Sequence, residues 1–187
     1  INDMKPTVLL RGANVVEDPV DQTTLTARYT AEAVGFIRQN RERPFFLYLP
    51  HNCPHVPLFA SEKFKGKSRR GLYGDVVEEL DASVGAVLET IRELELAENT
   101  LVIFTSDNGP WLTRNQDGGS AGLLRGGKGS TWEGGMREPA IAWWPGTIPA
   151  GRVSAEVCFT TDGMATICAI VDVPLPPDRT LDSLDLR

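Results

Sequence analysis

Histidine and cysteine are scarce in this sequence: two histidines, His51 and His55, and three cysteines, Cys53, Cys158 and Cys168, among 187 residues. So few cysteines, odd in number, do not make a disulfide framework. Long apolar runs are missing too, and no stretch approaches the roughly 20 residues that a transmembrane helix needs. Positive charge is in deficit, with 19 basic against 25 acidic residues and a formal net charge of -6. No cluster of Lys and Arg rises above a solvated face, which argues against nucleic acid or an anionic membrane as partner. The opening residues, INDMKPTVLL, lack the charged start, apolar core and cleavage site of a signal peptide and begin at Ile1. The chain is therefore read as a window on a longer polypeptide, and its compartment stays open.

What is present is the material of a globular α/β domain: 41% hydrophobic residues and strand-like runs that alternate with helical ones. Leu25, Tyr29, Ala33, Phe36 and Ile37 recur at helical spacing and predict a helix from about Thr23 to Asn40. PFFLYLP then predicts a short central strand covered on both faces. A longer helix is expected from about Tyr73 to Leu96, with Val76, Val77, Leu80, Val84, Val87, Leu88, Ile91 and Leu94 in one stripe. Asp75, Glu78 and Glu79 near its start suit the helix dipole and read as a solvated face. The strands LVIFTS and AIAWW follow, then a helix from about Thr161 to Val171, and the tail PLPPDRTLDSLDLR reads as a departing loop.

In an open α/β sheet the loops that leave the carboxyl ends of strands converge on one crevice. One such loop, HNCPHVP, holds both histidines; the other begins TSDNG and continues into GGSAGLLRGGKGSTWEGG. Asn-Gly is a favoured hairpin turn, so Asp107, Asn108 and Gly109 either reverse the chain or present ligands. Eight glycines in the eighteen residues from Gly118 to Gly135 permit close backbone approach, to an anion among other things. His51 and His55 stand four apart, but Pro54 and Pro57 oppose the helix that a zinc-protease motif requires. His-x-Cys-x-His in an extended loop leaves a zinc site as a lesser alternative. GLLRGGKGS comes close to a phosphate-binding loop, yet Gly129 stands where the magnesium-binding hydroxyl belongs and the helix behind it is poorly supported.

In family order, HNCPHVPLFAS, RRGLYGDVVEELDASVG, NTLVIFTSDNGPW, LLRGGKGSTWEGGMREPAIAWWPG and PLPPDRTLDSLDL resemble the type I sulfatase family. The likeness is to the arylsulfatase A and galactosamine-6-sulfatase branch. It implies an alkaline-phosphatase-like α/β sandwich, a mainly parallel sheet between helical layers. Residues 1–187 would be the central part of one catalytic domain. The implied activity is hydrolysis of the sulfate ester of a sulfated small molecule or glycan. The implied nucleophile is a formylglycine made from cysteine or serine, and the implied cofactor is a divalent cation, calcium with magnesium as the alternative.

Asp107 and Asn108 fall on the family's TxDNG motif, whose Asp and Asn are metal ligands, and a carboxylate with an amide oxygen suits a hard cation. His55 falls on the HxP loop, whose histidine contacts the sulfate ester and protonates the departing alcohol. Lys128 falls on the GKxxTxEGG motif, whose lysine binds a sulfate oxygen and offsets transition-state charge. No CxPSR or CxAxR surrounds any of the three cysteines. The formylglycine and the remaining metal ligands are thus expected upstream, and the isolated window is expected to be inactive. The resemblance also implies a secreted, periplasmic or lysosomal setting. Two readings of other classes stay open: a phosphate-ester hydrolase or transferase of the same superfamily, and a non-catalytic sulfatase-like binding domain. Outside the motifs, Arg137 and Glu138 read as a structural ion pair or loop anchor, Trp143 and Trp144 as packing between strand and helices with a sugar-stacking face as the alternative, and Cys158 and Cys168 as buried small hydrophobes.

Overall fold

A computed structural model describes residues 7–187, which divide into two units, one ending at Ile148 and one spanning Pro149–Arg187. The first unit opens with a hairpin that the sequence reading does not anticipate. Strand β1, Leu9–Arg11, pairs antiparallel with β2, Asn14–Glu17, with Leu10 opposite Val15. Gly12 takes φ +59° at the turn, a conformation that favours glycine. Two ion pairs tie the hairpin to the first helix: Arg11 with Glu32, and Glu17 with Arg28.

Helix α1, Leu25–Asn40, closely matches its expected span and buries Leu25, Ala33 and Ile37. Asp21 caps the 3-10 turn before it by accepting the Thr23 amide at 3.0 Å. Helix α2, Gly71–Glu93, packs against α1, and Ile37 of α1 and Val76 and Ile91 of α2 are buried. Each such aliphatic side chain contributes about 1.5–3 kcal/mol when fully buried.

The polar face of α2 departs from expectation. Asp75 and Glu79 are not solvated; they are 2% and 5% exposed. Asp75 accepts the backbone amides of Gly66, Lys67 and Ser68 at 2.8, 3.0 and 2.8 Å, and Glu79 accepts that of Ser61 at 2.8 Å. These carboxylates fasten the 61–68 loop to the helix, because buried amides outside a ladder need acceptors. Val77, expected in the apolar stripe, is exposed instead.

The segment 44–50 is not a hydrogen-bonded strand. Phe45, Leu47 and Leu49 turn inward while Phe46 and Tyr48 are exposed, so its exposure alternates as in a strand with only one covered face. Phe45 meets Phe36 of α1 edge-on, with ring centroids 5.9 Å apart.

Strand β3, Val102–Thr105, pairs with β4, Ala140–Trp143, from Val102 opposite Trp143 to Thr105 opposite Ala140. Both sheets among the described residues are antiparallel pairs, whereas the family resemblance implies a mainly parallel sheet for the whole fold. The physical reason lies in the connection. A parallel crossover normally carries a helix, but residues 106–139 are loop, 3-10 turn and the single helical turn α3, Glu133–Met136. Trp143 and Trp144 pack as expected beside α2: Arg92 lies over the Trp143 ring, and the Trp144 indole donates to the Glu98 carbonyl at 2.9 Å.

In the second unit, helix α4, Asp162–Ile170, buries Ala165 and Cys168. The tail does not depart. Asp162 accepts the amides of Phe159 and Leu184, Ser183 donates to the Thr161 carbonyl at 2.7 Å, and the Leu186 amide reaches the Thr166 hydroxyl. Cys168 is buried, but Cys158 is exposed, because it lies in the irregular run before α4 with no apolar layer over it.

Candidate functional site

The antiparallel pair brings two chain segments out at one edge. With Thr105 opposite Ala140, the register carries Asp107 toward Glu138, and the Thr105 hydroxyl donates to the Pro139 carbonyl at 3.2 Å. Asn108 donates its side-chain Nδ2 to Asp107 Oδ2 at 2.5 Å, which fixes the amide orientation and leaves Asn108 Oδ1 available as an acceptor. Burial, and then the nearby charge of Asp107, raise the Glu138 carboxyl above its ordinary range. Glu138 Oε1 is buried without a partner. Arg137 does not pair with it: its guanidinium reaches Glu133, one helical turn back, at 3.2 Å. Of the two expected forms, the Arg137–Glu138 ion pair is absent, because adjacent residues at the exit of α3 project apart while i and i+4 share a face, and Arg137 anchors to Glu133 instead.

The glycines of the following loop meet backbone of the same chain. Gly109 donates to the Gly135 carbonyl at 3.2 Å, Lys128 donates its amide to the Pro110 carbonyl at 2.9 Å, and Gly134 donates to the Arg125 carbonyl at 2.8 Å. A Cβ on Gly127 would stand 2.5 Å from the Pro110 carbonyl oxygen. With the Lys128, Ser130, Gly134 and Gly135 amides all donated internally, the loop does not offer the free amide cradle of a nucleotide-binding loop.

The two candidate catalytic side chains meet at a third residue. The rings of His55 and Trp111 lie 5.6 Å apart at 49°, and Lys128 Nζ lies 5.6 Å from the Trp111 ring centroid. The His55 side chain is exposed, and its Nδ1–H donates to the Val56 carbonyl at 2.7 Å, which leaves Nε2 as the ring nitrogen open to a ligand. The other members of HNCPH turn elsewhere. His51 Nε2 meets the Ser83 hydroxyl at 3.0 Å, and Ser83 meets that of Thr30 at 2.6 Å, so His51 joins α1 to α2. Burial lowers the His51 imidazole below its usual range and pushes the Cys53 thiol up. His51, Cys53 and His55 thus serve three different neighbourhoods.

Asp107 and Asn108 offer hard oxygen donors beside a further carboxylate, Glu138, a set suited to one side of an oxygen-ligated cation. Among the described residues, no group of three His, Cys, Asp or Glu side chains is gathered as a metal-holding set. Sequence reasoning gives no role to Trp111, although it lies within the NTLVIFTSDNGPW motif, nor to Arg114, whose guanidinium lies 4.2 Å from the Trp111 centroid. A lone tryptophan after Asn-Gly-Pro carries no periodic signal; only the fold brings HxP and GK to its ring.

The sulfatase family model matches residues 5–173. The chain is 48% identical over 168 residues to N-acetylgalactosamine-6-sulfatase of Canis lupus familiaris, covering 88% of this chain and 32% of that protein. It is 46% identical over 183 residues to human arylsulfatase A, covering 97% of this chain and 36% of that protein. The crystal structure of a sulfatase from Pseudoalteromonas sp. superposes with a TM-score of 0.87 at 35% identity, over 93% of this chain and 36% of that one. The chain therefore spans about a third of the length of the curated relatives it matches. Its fold is part of the α/β, alkaline-phosphatase-like fold of those enzymes. With the family model covering most of the sequence and the DNG, HxP and GK segments brought into one neighbourhood, this chain belongs to the sulfatase family.

Proposed function

We propose that this chain is part of a sulfuric ester hydrolase in which His55 and Lys128 act on the ester and Asp107 and Asn108 hold a divalent cation. The observation that carries the reading is the convergence of His55 and Lys128 on Trp111, four residues beyond Asp107. Asp107 and Asn108 at the β3 exit would supply two of the oxygen ligands of a divalent cation, calcium being the expected ion and magnesium the alternative. When bound there it would supply positive charge that offsets the negative oxygens of a sulfate group.

The chain's own residues do the following. Lys128, carried on a loop whose backbone is locked to Pro110, presents its ammonium toward a sulfate oxygen and offsets charge that grows as the ester bond breaks. His55, with Nδ1–H committed to Val56, holds the transferable proton at Nε2 and gives it to the departing alkoxide oxygen. Asn108 turns its oxygen outward because its nitrogen is tied to Asp107. The formylglycine nucleophile belongs to a segment outside these residues, whose own part is to hold the ester and protonate what leaves it.

The substrate is read as a sulfated sugar or other sulfated small molecule. Support comes from the relative named for 6-sulfated N-acetylgalactosamine, at 48% identity. The test is turnover by the full-length protein of 4-nitrophenyl sulfate and 4-nitrophenyl phosphate, with His55→Ala alongside. Sulfate release that falls by about 10²–10⁴-fold in the variant is expected. Release of phosphate without sulfate would move the protein to the phosphate-ester branch, and release of neither would favour a binding domain.

A further inference from the structure

Three cations in the loop that follows Asp107 rest on aromatic rings instead of carboxylates. Arg114 lies 4.2 Å and Lys128 5.6 Å from the Trp111 centroid, and Arg125 lies 3.5 Å from that of Trp132. None of the three takes part in an ion pair among the described residues. Between Pro110 and Trp132 the only acid is Asp117, so the three cations are separated along the chain from the carboxylates Asp107 and Glu138 at the β3 exit. Other basic residues of the chain are unpaired as well; what sets Arg114 and Lys128 apart is that both lie on the ring of Trp111, which His55 also meets.

Arg114 is the one of these that the sulfatase reading leaves unused while placing it on the site's own ring. Its Nε is buried with no hydrogen-bond partner. With Nε covered, an external anion meets the guanidinium at its two Nη groups. Held over the indole, the guanidinium keeps its planar fork pre-organised, the geometry that suits a two-oxygen anion better than a lysine would. Asn115, the next residue, takes φ +51° and ψ -118°, a backbone conformation uncommon for a residue with a Cβ and associated with ligand clamps.

We propose that Arg114, held by Trp111, is a specificity-determining residue that binds a second sulfate group on the same substrate molecule, beside the ester handled by His55 and Lys128. The inference rests on the sulfatase reading and narrows it to saccharides carrying more than one sulfate. Lys128 serves the reacting ester; Arg114 serves its neighbour.

The experiment compares the full-length enzyme with Arg114→Gln and Arg114→Lys on a matched pair of disaccharides, one monosulfated and one carrying a second sulfate on the adjoining ring. In Arg114→Gln, kcat/KM for the disulfated sugar should fall about tenfold further than for the monosulfated one, as expected for one lost charge-assisted contact. The loss should lie in KM, with kcat for the two substrates changing alike. Arg114→Lys keeps the charge and loses the fork, so it should show the same selective loss in smaller measure, and it carries the test if the glutamine variant does not fold. An equal loss on both substrates, or none on either, overturns the inference and leaves the sulfatase reading intact. Hydrolysis of neither sugar by an unaltered enzyme that still turns over 4-nitrophenyl sulfate overturns this inference alone, and loss of 4-nitrophenyl sulfate turnover as well removes the sulfatase reading with it.

Discussion

Gly109 lies so close to Gly134 that a Cβ on the former would stand 1.9 Å from the carbonyl oxygen of the latter. The contact joins the two motifs that the sequence shows far apart, TSDNG and WEGG, and its amide bond to Gly135 seals the joint at 3.2 Å. Gly109→Ala should therefore push the β3 exit away from α3. Overpacking of this kind costs about 1–3 kcal/mol. The expected result is a lower urea midpoint, measured by circular dichroism, together with reduced turnover in the full-length protein because Asp107 and Asn108 move with the loop. A variant with unchanged midpoint would show that the two loops do not pack as described.

Removing the carboxylate at the same exit separates chemistry from folding. Asp107 is exposed, and its hydrogen-bond partner is only the neighbouring Asn108, so Asp107→Ala leaves the core untouched. In the full-length protein, sulfate release should fall by more than the roughly 10–100-fold that loss of an outer partner of a metal ligand costs. Calcium affinity, measured by calorimetry, should fall in parallel while the melting temperature without added cation stays near that of the unaltered protein. Unchanged affinity for calcium would remove Asp107 from the metal site.

How much of this was legible beforehand depended on the kind of signal. The spans of α1 and α2 follow from apolar spacing, and the observed helices agree with it to within a few residues. What spacing could not disclose is that Asp75 and Glu79 point inward, since their acceptors are filled by amides of a loop with no pattern of its own. The mainly parallel sheet came from the family resemblance and describes the whole fold, whereas the pairing of β3 with β4 is antiparallel, and the alternation of strands and helices is blind to whether the connection after β3 holds a crossover helix. Asp107, Asn108, His55 and Lys128 could be named from motif order, but Trp111 could not, because its importance lies in contacts to residues 56 places before it and 17 after it. The Arg137–Glu138 pairing failed for a local reason: helical geometry at α3 favours Glu133 as the partner.

Acid should weaken the protein in two separate windows. The His51 imidazole is lowered by burial, so below about 6.5 the unfolded chain takes up the proton before the folded one does, and stability declines from there until the folded value is passed. The Asp75 carboxyl is lowered by the amides of Ser68 and Gly66, with Lys67 adding to them against the effect of burial. Its contribution is complete above the ordinary carboxylate value of about 3.9 and disappears as the pH falls through the folded one. Melting temperatures across the acid range should show the His51→Gln variant losing the upper slope and Asp75→Asn losing the lower. Asp75→Asn should also be less stable than the unaltered protein at pH 7 and converge on it in strong acid. A constant difference at every pH would mean that the Asp75 charge does not hold the 66–68 loop.

The three thiols offer a check on burial that needs no activity. Thiolate, not thiol, attacks disulfide reagents, and access to it depends on both burial and surroundings. Cys158 is exposed, with its sulfur 3.9 Å from the Glu156 carbonyl as its hydrogen-bond acceptor. Cys168 is buried in α4, and Cys53 is partly covered, faces the Thr26 hydroxyl at 3.8 Å and is held in the thiol form by burial. In the folded protein a disulfide reagent should therefore label Cys158 first, and denaturant should bring Cys53 and Cys168 to a comparable rate. Peptide mapping of the early product distinguishes the sites. Labelling of Cys53 ahead of Cys158 would mean that the HNCPH loop opens from α1, and with it the setting that brings His55 to the face of Trp111.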